Sequence, residues 1–144
     1  MTTTLDATDP AGTSAEDPVA GRILRSLAES MPGVRGALVA SVDGRPIAAA
    51  LPEHEANSTA AIVAASLGLG SRLADLTGEG PLQEIVVRSG AGYVVIYAVG
   101  DRGVLTVLTT ASVNLALLHL RAREVRADLA GPVQRHVGDP DRPR

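Results

Sequence analysis

Glu53-His54-Glu55 is the one place in the chain where acidic side chains flank a histidine. Carboxylates and an imidazole can bind a metal ion, but a zinc site needs three or four protein ligands, usually with a second histidine at helical spacing. The other histidines, His119 and His136, lie far away in the sequence. We interpret the cluster as solvated charge ahead of a helix, and no metal site or cofactor is predicted.

Gly68-Leu69-Gly70-Ser71 begins like a dinucleotide-binding fingerprint but has the wrong context. That fingerprint follows a strand, opens a helix and includes a third glycine. Here the glycines fall inside a predicted helix. A phosphate-binding P-loop needs a lysine, and all 13 basic residues of this chain are arginine. The chain is therefore not itself predicted to be a GTPase.

A catalytic nucleophile is also absent from the pattern. The chain has no cysteine, which excludes thiolate catalysis, thiolate metal sites and disulfides. No serine has a glycine two positions away on both sides, as a nucleophile elbow requires. We predict a protein without its own active site, in which function resides in surfaces.

Composition excludes further classes of partner. The formal net charge is −3, and 45% of the residues are hydrophobic with two Tyr and no Phe or Trp. The absence of a basic stripe and of stacking aromatics argues against nucleic acid as a partner. The start of the chain lacks the features of a signal peptide. The most apolar helix candidate is interpreted as too short and too weakly apolar to span a bilayer, so a cytoplasmic location is expected.

Three regions are predicted along the chain. Residues 1–17 and 131–144 are rich in polar residues, Gly and Pro and are predicted to be disordered tails, the first of them acidic. The domain lies between them, at residues 18–130. Its first helix is predicted over 18–30, with Asp17 as N-cap and a proline at the first helical position.

Two groups of strands follow from the apolar runs. The first two, 34–42 and 45–51, flank Asp43-Gly44, which is typical of a tight hairpin. Pro46 lacks a backbone donor and favours a sheet edge for the second strand. Three more strands are predicted at 82–88, 93–99 and 104–109. The half-polar first of these suits an edge, and the wholly apolar second suits a central position covered on both faces.

Two further helices complete the predicted domain. One runs from Asn57 or Ser58 to Leu76 and has two distinct sides. We expect the larger side chains to cover the sheet, namely Ile62, Leu69, Leu73 and Leu76. The smaller side consists of Ala61, Ala64, Ala65, Gly68 and Arg72. Glycine inside a helix costs about 1 kcal/mol relative to alanine, which favours a close-packed partner on this smaller side. The last helix is predicted over 112–129.

This order is α-β-β-α-β-β-β-α and predicts an α+β sandwich. One five-stranded, mostly antiparallel sheet with helices on both faces accounts for it.

The whole pattern resembles the roadblock/dynein light chain family in its small bacterial form. The resemblance spans residues 18–130. It rests on Pro32-Gly33-Val34-Arg35-Gly36-Ala37-Leu38-Val39 leading to Asp43-Gly44, on the small-residue helix and on the glycine-linked strand trio. The most similar members are actinobacterial ones that lie beside a Ras-like GTPase, a histidine-kinase-like protein and a small partner protein.

The resemblance implies a dimer in which the second helices pair and the third strands join edge to edge. It places a set of residues at or near the dimer interface: Ala61, Ala64, Ala65, Gly68, Arg72, Ile85 and Val87. A free strand edge is otherwise an aggregation liability.

The resemblance further implies that the chain is a regulatory module for a Ras-like small GTPase, in some members as an activator of GTP hydrolysis. Ser58 and Ser66 are candidate contacts to such a partner. Two alternatives remain open: a scaffold that bridges a sensor kinase to other proteins, including the neighbouring small protein, and a small-molecule sensor domain.

Overall fold

The computed structural model describes residues 16–137, with Glu53 and His54 described as backbone only. The predicted tail segments 1–15 and 138–144 lie outside the described residues. The elements are α1 (Pro18–Ser30), β1 (Val34–Ser41), β2 (Pro46–Ala50), α2 (Glu53–Thr77), β3 (Glu84–Arg88), β4 (Gly92–Val99), β5 (Gly103–Thr110) and α3 (Leu115–Val137).

The five strands form one sheet in the order β2-β1-β5-β4-β3. Every neighbouring pair is antiparallel. β2 and β3 lie at the two edges, as their proline and their polar residues predict. β4 is an interior strand between β5 and β3, and both of its faces are covered, as its apolar residues predict. β1 pairs with β5, so the last strand takes the middle position.

The helices cover both faces of the sheet. α1 and α3 lie together on one face, and the largest buried cluster combines their apolar residues with those of the sheet. α2 lies on the other face, over two smaller buried clusters. The α+β sandwich with its predicted element order is therefore confirmed.

α1 begins at the predicted N-cap, Asp17, which forms hydrogen bonds both within the helix and to the sheet. The Asp17 carboxylate accepts hydrogen bonds from the N–H groups of Val19 and Ala20 at 2.9 and 3.0 Å. The backbone N–H of Asp17 donates to the carbonyl of Ile47 at 2.9 Å, on the edge strand β2. Asp17 is buried, so it belongs to the folded domain and not to the predicted tail.

α2 begins earlier than predicted, at Glu53 and not at Asn57 or Ser58. Pro52 takes the cap position without a side-chain hydrogen bond, and proline at the entrance of a helix loses no intrahelical bond. The helix ends at Gly78, whose φ of +70° allows the left-handed C-cap.

α3 extends beyond the predicted end at Leu129. It begins after Asn114, whose side chain accepts a hydrogen bond from the N–H of Leu117 at 3.0 Å, and it continues to Val137. The prediction of a disordered segment from residue 131 is therefore wrong for 131–137. Pro132 and Val133 are buried, and this tertiary packing outweighs the cost of proline inside a helix.

One helix of the described chain, α2 from Glu55 to Thr77, is long and apolar enough by length and composition to cross a membrane. This corrects the expectation that the segment is too short and too weakly apolar. Its inward side is nevertheless buried on the sheet through Ala56, Ala60, Val63 and Leu67. Insertion into a bilayer would remove this helix from the fold.

Candidate interaction surface

The side of α2 that faces the sheet is not the one predicted from the sequence. Small residues, Ala56 and Ala60, face the sheet together with Val63 and Leu67. The helix also approaches the β1–β2 turn closely at Gly44, since a Cβ built on this glycine would lie 3.3 Å from Ala61 Cα. The predicted sheet-covering residues point to solvent instead.

The outward side of α2 carries a row of large apolar residues, which we call the α2 stripe. The exposed fractions of its members are 65% for Ile62, 70% for Leu69, 62% for Leu73 and 83% for Leu76. Together with Ser66 they recur in alternating steps of four and three residues, which is the spacing of a helix-pairing seam. A stripe of this kind in water is typical of a protein–protein contact.

The predicted interface residues of α2 lie to one side of this stripe. Ala61, Ala65, Gly68 and Arg72 are exposed, and Ala64 is partly buried. A Cβ built on Gly68 would meet no atom within 4 Å. This glycine is therefore not required by packing within the described chain, and its assignment to a dimer interface stays a prediction.

β3 forms the second part of the surface. Val86 and Val87 are exposed at 41% and 46%, and Ile85 is partly buried. A Cβ built on Gly70 would lie 2.8 Å from Ile85 Cδ1, so the C-terminal half of α2 comes close to this edge strand. Ile85 and Val87 therefore lie on the face of the sheet that α2 covers, since their β4 neighbours Ile96 and Val94 belong to the cluster under this helix.

The two serines proposed as partner contacts differ in their surroundings. Ser58 is exposed near the beginning of α2. Ser66 lies within the α2 stripe, and its hydroxyl donates to the carbonyl of Ile62 at 2.9 Å. Because this bond stays within the helix, Ser66 can be covered by an apolar partner without an unsatisfied hydroxyl.

A polar cluster lies on the opposite face of the sheet. Tyr97 Oη and His119 Nδ1 are 2.8 Å apart, and the guanidinium of Arg126 lies 5.8 Å from the Tyr97 ring centroid. Burial raises the pKa of the Tyr97 hydroxyl above its usual range, and the nearby Glu84 carboxylate raises it further. The tyrosine stays neutral, so we assign this cluster to the anchoring of α3 on the sheet.

The residues first considered for chemistry stay apart in the fold. His119 is partly buried and belongs to the cluster on α3, whereas His136 lies 3.5 Å from the Asp17 carboxylate. Among residues 16–137, no group of three His, Cys, Asp or Glu side chains could hold a metal ion. The side chains of Glu53 and His54 lie outside this description.

Sequence reasoning missed the α2 stripe as a contact surface. The signal was present in the four-three spacing of Ile62, Ser66, Leu69, Leu73 and Leu76. The size of these side chains predicts an interior position, because large apolar residues bury more area than small ones. Both sides of this helix are apolar, so size alone could not decide which one faces the sheet.

Comparison with known proteins identifies the fold and the family. The Roadblock/LC7 domain family matches residues 22–109. Two proteins of Methanocaldococcus jannaschii, named uncharacterized proteins MJ0310 and MJ1340, are each 34% identical to this chain over 89 residues, which is 61% of this chain and 77% of theirs.

Solved structures share the fold at lower identity. A Roadblock/LC7 domain from Streptomyces avermitilis is 19% identical with a TM-score of 0.74, covering 77% of this chain and 94% of that one. The gliding protein MglB of Thermus thermophilus is 21% identical with a TM-score of 0.70, covering 81% and 89%. MglB of Myxococcus xanthus is also 21% identical, with a TM-score of 0.65 and coverages of 78% and 89%. The chain belongs to the Roadblock/LC7 domain family.

Proposed function

We propose that this chain is a homodimeric regulatory module that binds a Ras-like small GTPase and has no active site of its own. The observation that carries the proposal is the α2 stripe, whose four large apolar side chains are all more than 60% exposed in the isolated chain. Burying such side chains stabilises a complex by roughly 1.5–3 kcal/mol each before the costs of association.

We propose that a second copy of this chain covers the α2 stripe and the edge of β3. The α2 stripe and the free edge of β3 lie side by side, so that one two-fold contact would pair the helices and join the sheets. One solved structure with this fold, 21% identical and with a TM-score of 0.72, is described as MglB with a tetrameric arrangement. Self-association of that protein supports the same behaviour here.

Family membership supports the proposed GTPase partner, since the resemblance implies small-GTPase binding by Roadblock/LC7 members. The chain would then act on another protein's nucleotide chemistry, either by altering GTP hydrolysis or by selecting one nucleotide state. This role places the chain in the cytoplasm with its partner. In such a dimer Ser66, which lies within the α2 stripe, would be covered by the second copy, and Ser58 near the beginning of α2 would remain the candidate contact to the GTPase.

Binding to a Ras-like small GTPase tests the proposal. Titration calorimetry with the GTPase loaded with GDP, and separately with a non-hydrolysable GTP analogue, should show binding that differs between the two states. Leu69→Glu should weaken this binding, because the proposed binding form is the dimer. Leu120→Glu, at an exposed leucine of α3, should leave the binding unchanged.

Absence of binding in both nucleotide states would contradict the GTPase role. Binding to a sensor kinase alone would favour the scaffold alternative. A GTP hydrolysis rate that stays at the intrinsic value in the presence of the bound chain would exclude an activating role and leave nucleotide-state recognition.

A further inference from the structure

The outer edge of β3 carries two opposite charges placed symmetrically about one residue. Glu84 and Arg88 are the first and last residues of the strand, and Val86 lies between them. The three side chains share a face, because their β4 neighbours are Tyr97, Val95 and Tyr93, which belong to or pack against the core on the α1–α3 side.

Within residues 16–137 neither Glu84 nor Arg88 has an ion-pair partner. The two cannot pair with each other, because four residues along a strand separate them by about 13 Å. The strand also has unpaired backbone groups on its outer side, since β3 pairs with β4 alone among the described strands.

We propose that a second copy of this chain pairs with β3 in a single register that is centred on Val86 and selected by charge. In this register Glu84 lies opposite Arg88 of the partner subunit, and Arg88 lies opposite Glu84 of the partner subunit. The inference rests on the proposed dimer and specifies how its two copies recognise each other.

Two-fold symmetry allows few other registers for the pair of β3 strands. A two-fold axis perpendicular to the sheet keeps both α2 helices on one side, and a slip of one residue would place side chains of opposite faces against each other. A slip of two residues places Arg88 opposite Val86 or Leu82 of the partner subunit. Larger slips bring like charges together, which is unfavourable in directly opposed positions.

The position of α2 agrees with this register. Gly70 rests on Ile85, next to the proposed axis at Val86, and Leu69 is the middle member of the α2 stripe. The axis would therefore lie near the centre of β3 and beside the C-terminal half of α2, within the span of the α2 stripe. On the α2 side, Ile85 would lie opposite Val87 of the partner subunit and continue the apolar contact.

Cross-linking tests the register directly, because the chain has no cysteine of its own. Directly opposed residues have Cα atoms about 4.5–5.5 Å apart, which a disulfide can span. Val86→Cys should therefore form a disulfide-linked dimer under mild oxidation. Val87→Cys alone should not, because its two copies would lie about 8 Å apart on the diagonal, but a mixture of Val87→Cys with Ile85→Cys should cross-link.

Charge reversal tests whether the Glu84–Arg88 pairs select the register. Glu84→Arg and Arg88→Glu should each weaken the homodimer on the order of tenfold, as two attractive cross-strand pairs become repulsive. A mixture of the two variants should form heterodimers, and the double variant Glu84→Arg/Arg88→Glu should recover the homodimer. Glu79→Arg, an exposed residue outside β3, is the matched control.

The outcomes separate this inference from the proposed function. A wild-type dimer in which Val87→Cys cross-links alone while Val86→Cys does not would overturn the register and leave the dimer standing. Charge reversals without effect on a dimer, or no recovery in the double variant, would overturn the charge selection. A wild-type chain that never dimerises would overturn both the register and the proposed function.

Discussion

At the residue scale, Asp17 connects more of the structure than any other polar side chain described above. It caps α1, and its carboxylate lies 3.1 Å from the Arg135 guanidinium near the end of α3. Burial by itself raises the pKa of this carboxyl, but hydrogen bonds from the Ala20 N–H and from Arg135 outweigh that effect. The pKa therefore lies below its usual range.

The lowered pKa of Asp17 predicts an acid-sensitive contribution to stability. The contribution is complete above the unfolded-state pKa of about 4 and is lost as the pH falls through the lower pKa of the folded state. Asp17→Ala should lower the free energy of unfolding by about 1 kcal/mol at neutral pH. The difference should shrink below about pH 4, as measured by denaturant titration across pH.

Asp17→Asn separates the cap from the charge, because asparagine caps a helix about as well as aspartate. It should cost less than the alanine variant. A cost of Asp17→Ala that is unchanged at low pH would contradict the role of the carboxylate charge.

Single residues predicted the local structure well where one physical constraint dominates. Asp17 and the proline after it define the beginning of α1, and Pro46 correctly indicates an edge strand. Pro132 misled the prediction of the end of α3, because a local rule against proline in helices gives way to burial of the neighbouring Val133. Such burial depends on residues distant in sequence and has no local signature.

At the element scale, the last turns of α3 contact both the beginning of the domain, at Asp17, and the beginning of β5. Val133 packs against Gly103, with 2.8 Å between a Val133 methyl and a Cβ built on that glycine. Arg102 donates to the carbonyl of Val137 at 2.8 Å, and Arg135 reaches Asp17. The final seven residues of the helix are therefore part of the domain.

A chain that ends after Ala130 should be less stable than the full chain. It loses the buried Pro132 and Val133 and the contacts of Arg135 and Val137, and we expect a loss of about 2 kcal/mol or more in the free energy of unfolding. Thermal and denaturant unfolding at equal concentration measure this. A chain that ends after Val137 keeps these contacts and is the control; equal stability of the two would contradict the assignment.

α2 provides the second prediction at this scale. Leu69→Glu and Leu73→Glu place charges in the α2 stripe and should convert the dimer to a monomer, because an unpaired buried charge is strongly unfavourable. Both positions are exposed in the isolated chain, so helix content by circular dichroism should be retained. Leu120→Glu should stay dimeric. A Leu69→Glu chain that sediments as a dimer would show that the stripe is not the contact.

At the scale of the whole molecule, the sequence predicted the architecture and the family but not which surface is free. Element order, hairpin turns and edge strands follow from local patterns, and together they permit one antiparallel sheet with helices on both faces. The orientation of α2 depends on how closely Ala56 and Ala60 allow it to approach the sheet. That distance is a property of the assembled fold.

The whole account depends on a second copy covering the α2 stripe and β3. Sedimentation equilibrium of the purified chain measures this most directly. We predict a mass near twice the 14.7 kDa of one chain at micromolar concentration, falling toward the single-chain value on dilution or in Leu69→Glu. A mass of 14.7 kDa that persists to high concentration, with the wild-type stripe left in water, would contradict the account.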